Sequence, residues 1–127
     1  MLAALGLRYG TPEATAFAVK VQKTLALEAY RASVKMAAER GAFEIFDARK
    51  EEKNPMIGRI READPELYAE MVKHGRRNIA MLTIAPTGTT SLMSQTTSGI
   101  EPVFRPVYKR RRKINPSDQD AKVAFVD

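Results

Sequence analysis

The sequence predicts an α+β chain dominated by helix, with one long N-terminal helix and a short strand pair near the middle and the C-terminus. Three stretches carry this expectation. Thr11-Pro12-Glu13 opens a helical pattern that runs unbroken to Gly41. Ile79-Ala-Met-Leu-Thr-Ile84 is an apolar run with no alternation, the pattern of a strand buried on both faces. Val123-Ala-Phe-Val126 is a second apolar run, at the end of the chain, that reads as the start of a strand.

The long helix is justified at both ends. A hydroxyl N-cap, a proline at the first helical position and an acid in the first turn mark its start. Gly41 supplies the C-cap after Arg40. Along this helix, Ala18, Val21, Leu25, Ala29, Ala32 and Met36 recur at three- and four-residue steps as one stripe. Leu27, Tyr30, Val34 and Ala37 form a second stripe on roughly the opposite side, and Glu28, Arg31, Lys35 and Glu39 lie between the two. A helix apolar on two sides requires cover on two sides, which implies a larger protein.

Ala42-Phe-Glu-Ile-Phe46 reads as an extended segment or a docking loop. Asn54-Pro55 is a turn signal, after which Met56, Ile57 and Ile60 suit one or two helical turns. Asp64-Pro65-Glu66 repeats the cap, proline and acid start, giving a helix over 64–75 with Tyr68, Met71 and Val72 inward and Gly75 at its end. A unit over 79–96 follows: the buried strand, a break at Pro86-Thr87-Gly88, and a helix from about Thr89 to Thr96. Glu101 to Tyr108 reads as extended, with Pro106 against a central strand position. Residues 109–127 comprise a basic run and a polar tail.

At 127 residues the chain is one domain, or a piece of a larger one, with ordinary hydrophobic (44%) and charged (28%) fractions. No apolar run approaches membrane-spanning length, and Met1 to Arg8 lacks the basic residues that precede the apolar part of a signal peptide. A cytoplasmic address without membrane association is the expectation. There is no cysteine, which excludes disulfides, thiolate metal sites and thiol chemistry within these residues. Lys109-Arg-Arg-Arg-Lys113 supplies five of the net +6 charges, so the basicity is local.

The unit over 79–96 carries the clearest chemistry. A strand, a glycine turn rich in hydroxyls and a helix start place free N–H groups and the positive end of a helix dipole at one point. Thr87, Thr89, Thr90 and Ser91 add hydroxyl donors, and Gly88 lets an oxyanion approach the backbone. The plainer reading is a simple turn with Thr89 as an ordinary N-cap. The chain has neither a Walker lysine after Gly88 nor a Gly-x-Gly-x-x-Gly run, so the donors are neutral and suit holding a substrate's phosphate better than transferring it.

Other candidates are weaker. The run Lys109–Lys113 reads as a solvated strand end, with a basic interaction module for nucleic acid or a partner subunit as the alternative. His74 sits at a helix end with no second histidine at metal-ligand spacing and reads as structural. Glu101 is either a hydrogen-bonding acid near the turn or a local cap. No catalytic group of serine, histidine and acid emerges.

Arg77-Asn-Ile-Ala-Met-Leu-Thr-Ile-Ala-Pro-Thr-Gly-Thr-Thr-Ser91, with Ser98-Gly-Ile-Glu-Pro-Val-Phe104 and Tyr108-Lys-Arg-Arg111, resembles the catalytic subunit of ribonucleotide reductase. The likeness is to the adenosylcobalamin-dependent (class II) branch. Leu5-Gly-Leu, Tyr30-Arg-Ala-Ser33 and Gly41-Ala-Phe43 extend it over nearly the whole chain. The resemblance implies a fragment of a ten-stranded α/β barrel. It also implies a turn, Thr87, Gly88, Thr89, Thr90 and Ser91 shaped by Pro86, that binds the phosphates of a ribonucleotide substrate. The family's radical and redox cysteines have no counterpart here, nor have its cobalamin-binding or allosteric segments. The resemblance therefore implies a C-terminal barrel portion, inactive alone and binding no cofactor itself. Its partner would be the remainder of the reductase subunit, or a second copy.

Overall fold

In the computed structural model, residues 1–101, 105 and 107 are described, together with the backbone of 110–111 and 125–126. Two compact units divide the chain, Met1–Thr83 and Ile84–Asp127.

The first unit is helical. A 3-10 turn over Ala3–Leu5 precedes helix α1, Pro12–Arg40, whose 29 residues form one uninterrupted rod. The Thr11 side chain accepts from the Ala14 N–H at 3.3 Å, and the Gly41 N–H closes the far end on the Ala37 carbonyl. Helix α2 is a single turn, Ala48–Glu51, capped by Asp47. Helix α3, Pro55–Ala63, starts at Asn54, whose side chain accepts from the Met56 N–H at 2.9 Å. Helix α4, Pro65–His74, follows after a corner at Asp64.

Asp64 shapes that corner with both carboxylate oxygens. One accepts from the Leu67 N–H at 2.9 Å as the cap of α4, and the other meets the Arg31 guanidinium at 2.6 Å, tying the corner to α1. These contacts, the Leu67 N–H first and Arg31 next, hold the carboxyl below its ordinary pKa.

The core lies where α1, α3 and α4 meet. Tyr30 and Val34 of α1 pack with Ile57 and Ile60 of α3 and with Leu67 and Met71 of α4, and Leu27, Phe46, Met56, Tyr68 and Met81 close its margin. Burying a side chain such as Ile60 or Leu67 contributes about 1.5–3 kcal/mol. Met71 faces inward as its spacing predicts, whereas Val72 is exposed. This core covers the second stripe of α1: Tyr30, Val34 and Ala37 are buried. Among the described residues the first stripe is covered only in part: Ala18, Val21 and Ala29 are half-buried, while Leu25 is 52% and Met36 37% exposed.

Ala42–Phe46 is a loop and not an extended segment. It docks through Phe43 and Phe46, whose rings meet edge to face at 5.5 Å, and through the Phe43 N–H on the Arg76 carbonyl.

The buried strand predicted from Ile79 is not formed. Residues 79–87 carry no strand, and Ile79, Leu82 and Ile84 are exposed. A strand exists by its ladder, since each backbone N–H and C=O needs a partner on a neighbouring chain segment. Among the described residues none runs alongside. The unalternating apolar pattern therefore records burial that these residues do not themselves supply.

In the second unit, helix α5 spans Gly88–Ser94, starting one residue and ending two residues earlier than the spacing suggests. Its end is set by Gln95, which takes a left-handed conformation at φ 53° and returns its N–H to the Ser91 carbonyl. Strands β1, Arg110–Arg111, and β2, Phe125–Val126, pair antiparallel with Arg110 opposite Val126. The short strand pair thus lies wholly in the C-terminal part. The side chains of Lys109–Lys113 and most of the extended Glu101–Tyr108 stretch lie outside the described residues.

Candidate functional site: the uncapped turn before helix α5

Pro86 and Thr87 lead into α5, and two hydrogen bonds fold the following loop back onto them. The Thr87 N–H and Oγ1 both donate to the Ser98 carbonyl, at 3.3 and 3.0 Å. The Ser91 Oγ donates to the Gly88 carbonyl at 2.8 Å and is buried, and the Ser91 N–H reaches the Thr87 carbonyl at 2.8 Å. The hydroxyl hydrogens of Thr87 and Ser91 are therefore engaged within the turn.

Thr89 and Thr90 are different. Both are exposed, and no hydrogen bond among the described residues holds either hydroxyl. Thr87 is the residue at the N-cap position, in place of the expected Thr89, and its side chain does not cap. Each of α1 to α4, by contrast, begins with a side-chain cap from Thr11, Asp47, Asn54 or Asp64. The first-turn N–H groups of Gly88, Thr89 and Thr90 have no intrahelical acceptor.

Gly88 adds to this opening. It has no left-handed φ, and a Cβ built on it would meet nothing within 4 Å. Neither backbone conformation nor crowding among the described residues calls for glycine at 88. A bare Cα at this position leaves the neighbouring N–H groups accessible. Of the five residues predicted for the site, Gly88, Thr89 and Thr90 present open donors, while Thr87 and Ser91 shape the turn from within. Glu101 closes locally against Gly99.

The His74 Nε2 lies 3.4 Å from a carboxylate oxygen of Glu70, one helical turn earlier. Among the described residues no three histidine, aspartate or glutamate side chains gather at metal-binding distance. None of the described helices is long and apolar enough to cross a membrane.

A polar cluster that the sequence reading passes over sits beneath the chain's exit from α4. The Arg76 guanidinium pairs with both carboxylate oxygens of Glu51, one contact at 2.7 Å, and donates to the Asn78 carbonyl at 3.1 Å. The rings of Tyr30 and Phe43 lie 5.7 and 5.3 Å from it. Burial, only partly opposed by the Arg76 charge, raises the Tyr30 pKa. Ser33 Oγ donates to Asn78 Oδ1 and accepts the Asn78 N–H, both at 3.0 Å, and the Arg77 N–H reaches the Ser33 carbonyl. Arg76 is 5% and Ser33 1% exposed, so residues 76–78 are laced onto α1. The available signal was Ser33, a polar residue inside the apolar stripe of Tyr30, Val34 and Ala37.

Comparison with known proteins places these features in a wider frame. The model of the ribonucleotide reductase barrel-domain family matches residues 1–122. The chain is 36% identical over 111 residues to a vitamin B12-dependent ribonucleoside-diphosphate reductase of Mycobacterium tuberculosis (strain CDC 1551 / Oshkosh), covering 87% of this chain and 13% of the relative. A vitamin B12-dependent ribonucleoside-diphosphate reductase of Thermoplasma acidophilum is 33% identical over 110 residues, covering 87% of this chain and 12% of that protein. A ribonucleoside-diphosphate reductase subunit alpha of Treponema pallidum (strain Nichols) is 30% identical over 122 residues, covering 89% of this chain and 14% of that protein. The chain thus spans about one-eighth of the length of these curated relatives. No solved structure matches it. Because the family match runs through the long helix and the uncapped turn alike, the chain belongs to the ribonucleotide reductase barrel-domain family.

Proposed function

We propose that this chain supplies the substrate-phosphate-binding turn of a ribonucleotide reductase, the enzyme that converts ribonucleotides to 2′-deoxyribonucleotides for DNA synthesis. The N–H groups of Gly88, Thr89 and Thr90 and the hydroxyls of Thr89 and Thr90 hold the phosphate oxygens. Thr87 and Ser91 keep the turn in shape. The observation that carries this reading is the uncapped N-terminus of α5, opened further by a glycine with nothing within 4 Å of its missing side chain. The names of the relatives support a diphosphate substrate and dependence on vitamin B12 in the whole reductase, for which adenosylcobalamin is our proposed form.

The cofactor is expected to be held by the remainder of the reductase subunit. This chain's single histidine, His74, lies beside Glu70. With no cysteine in these residues, the chain has no thiol to carry a radical or to reduce one. Its part is to hold the substrate by its phosphates, and alone it is inactive.

The test is a titration of the ¹⁵N-labelled chain with a nucleoside diphosphate, using the nucleoside alone as the control. Amide resonances of Gly88, Thr89 and Thr90 are expected to shift with the diphosphate and to stay in place with the nucleoside. Equal responses to both, or none to either, would overturn the reading.

A further inference from the structure

Between α1 and α3 the margin of the core opens into a groove of about 480 Å³. Sites for small organic ligands typically measure about 300–1,000 Å³. Val19, Lys23 and Ala26 recur at four- and three-residue steps on α1, and Met56, Ile60 and Ala63 do so on α3, so each helix turns one face to the groove. The core itself fixes the floor: Ile60 is 2% exposed, and Leu27 and Met56 pack against the buried cluster. The apolar lining is aliphatic or thioether, with no aromatic ring in it.

The rim is charged. Lys23 stands on α1 and Arg59 on α3, and both are exposed. Among the described residues neither side chain makes an ion pair or a hydrogen bond. Two cations that flank the core elsewhere are matched, Arg31 by Asp64 and Arg76 by Glu51. Glu62 is the only acid in the groove's lining, so two cations against one acid leave one positive charge unanswered. We infer that this groove binds a medium-chain alkyl carboxylate, its chain on the aliphatic floor and its head at Lys23 and Arg59. A flexible chain follows an aliphatic and thioether surface, which offers a flat ring no stacking partner. The unanswered charge matches a single carboxylate, whereas the phosphates of a nucleotide would bring further negative charge beside Glu62.

The test is a titration of the ¹⁵N-labelled chain with laurate below its micelle concentration. Octanoate and dodecyltrimethylammonium serve as the short-chain and opposite-charge probes. Laurate should shift the amide resonances of Ala26, Leu27, Arg59 and Ile60 saturably. Octanoate should bind about tenfold or more weakly, because it buries fewer methylenes. The cationic probe should bind more weakly than laurate as well. Lys23→Gln and Arg59→Gln should each weaken laurate about two- to fivefold, the range of an exposed charge pair. Both side chains are exposed and unpaired, so circular dichroism should show both variants folded. Ala63→Leu fills the groove and should remove binding. Laurate affinity unchanged in the Lys23→Gln, Arg59→Gln double variant, equal affinity for the cationic probe, shifts centred elsewhere, or no saturable shift would each overturn the inference. Phosphatidylglycerol vesicles should leave the chain in the supernatant; co-sedimentation lost in the double variant would assign the groove to a lipid surface and overturn the free acid. The residues read here are separate from Gly88, Thr89 and Thr90, so this test and the nucleotide titration fail independently.

Discussion

Replacing Gly75 by alanine tests the logic of the helical unit at its tightest point. Gly75 ends α4 at φ 74° and ψ −163°, a region that only glycine occupies without strain. It is also buried, and a Cβ there would lie 2.5 Å from the Ala42 Cβ and 3.0 Å from the Phe46 ring. Backbone strain costs about 1–3 kcal/mol. Forcing a methyl into a packed site adds about 1–3 kcal/mol. A loss of about 2–6 kcal/mol follows, a large share of the 5–15 kcal/mol typical of a domain. Urea unfolding followed by circular dichroism at 222 nm measures it. Gly58 provides the control, because it lies within α3, has no left-handed φ and has open space where its Cβ would be. Gly58→Ala should stabilise by up to about 1 kcal/mol. A Gly75→Ala chain within about 1 kcal/mol of the parent, or a destabilised Gly58→Ala chain, would refute this account of the α4 exit.

Other changes separate binding from stability. Gly88→Ala adds a helix-favouring residue in open space, so the melting temperature should hold or rise while affinity for a nucleoside diphosphate falls about tenfold, near 1.4 kcal/mol; unchanged affinity in the same titration would refute close approach at Gly88. Glu51→Gln leaves the buried Arg76 guanidinium without its anion and should cost about 3 kcal/mol in urea unfolding; a change below about 1 kcal/mol would make the pair incidental. Asp64 has a folded pKa below its unfolded one, so its contribution is complete above the ordinary carboxylate pKa of about 3.9 and is lost as pH falls through the depressed value. Unfolding curves recorded from pH 6 to pH 2 should show that loss for the parent, and a smaller one for Asp64→Asn.

Helix boundaries were legible because their determinants are local. Thr11-Pro12, Asn54-Pro55 and Asp64-Pro65 each place a capping side chain beside a pre-set φ, and each starts a helix. Gly41 and Gly75 end two of them with positive φ. The run Ile79–Ile84 was misread because a strand depends on neighbours, and its pattern reports an environment that the described residues lack. The turn at 86–91 was visible in the sequence, but not which donors stay open. That depends on the loop returning the Ser98 carbonyl to Thr87, a contact eleven residues away with no local signature. The Arg76–Glu51 pair was hidden for the same reason, since 25 residues separate its partners. The two stripes of α1 were legible, and among the described residues Tyr30, Val34 and Ala37 of the second are buried while the first is half-covered.

The most direct test of the central claim is the position of the amide resonances of Gly88, Thr89 and Thr90 as a nucleoside diphosphate is added to the labelled chain. The account predicts saturable shifts confined to the first turn of α5 and its flanking loop, lost with the nucleoside alone and weakened by Gly88→Ala. Shifts centred elsewhere, or none at millimolar nucleotide, would contradict it.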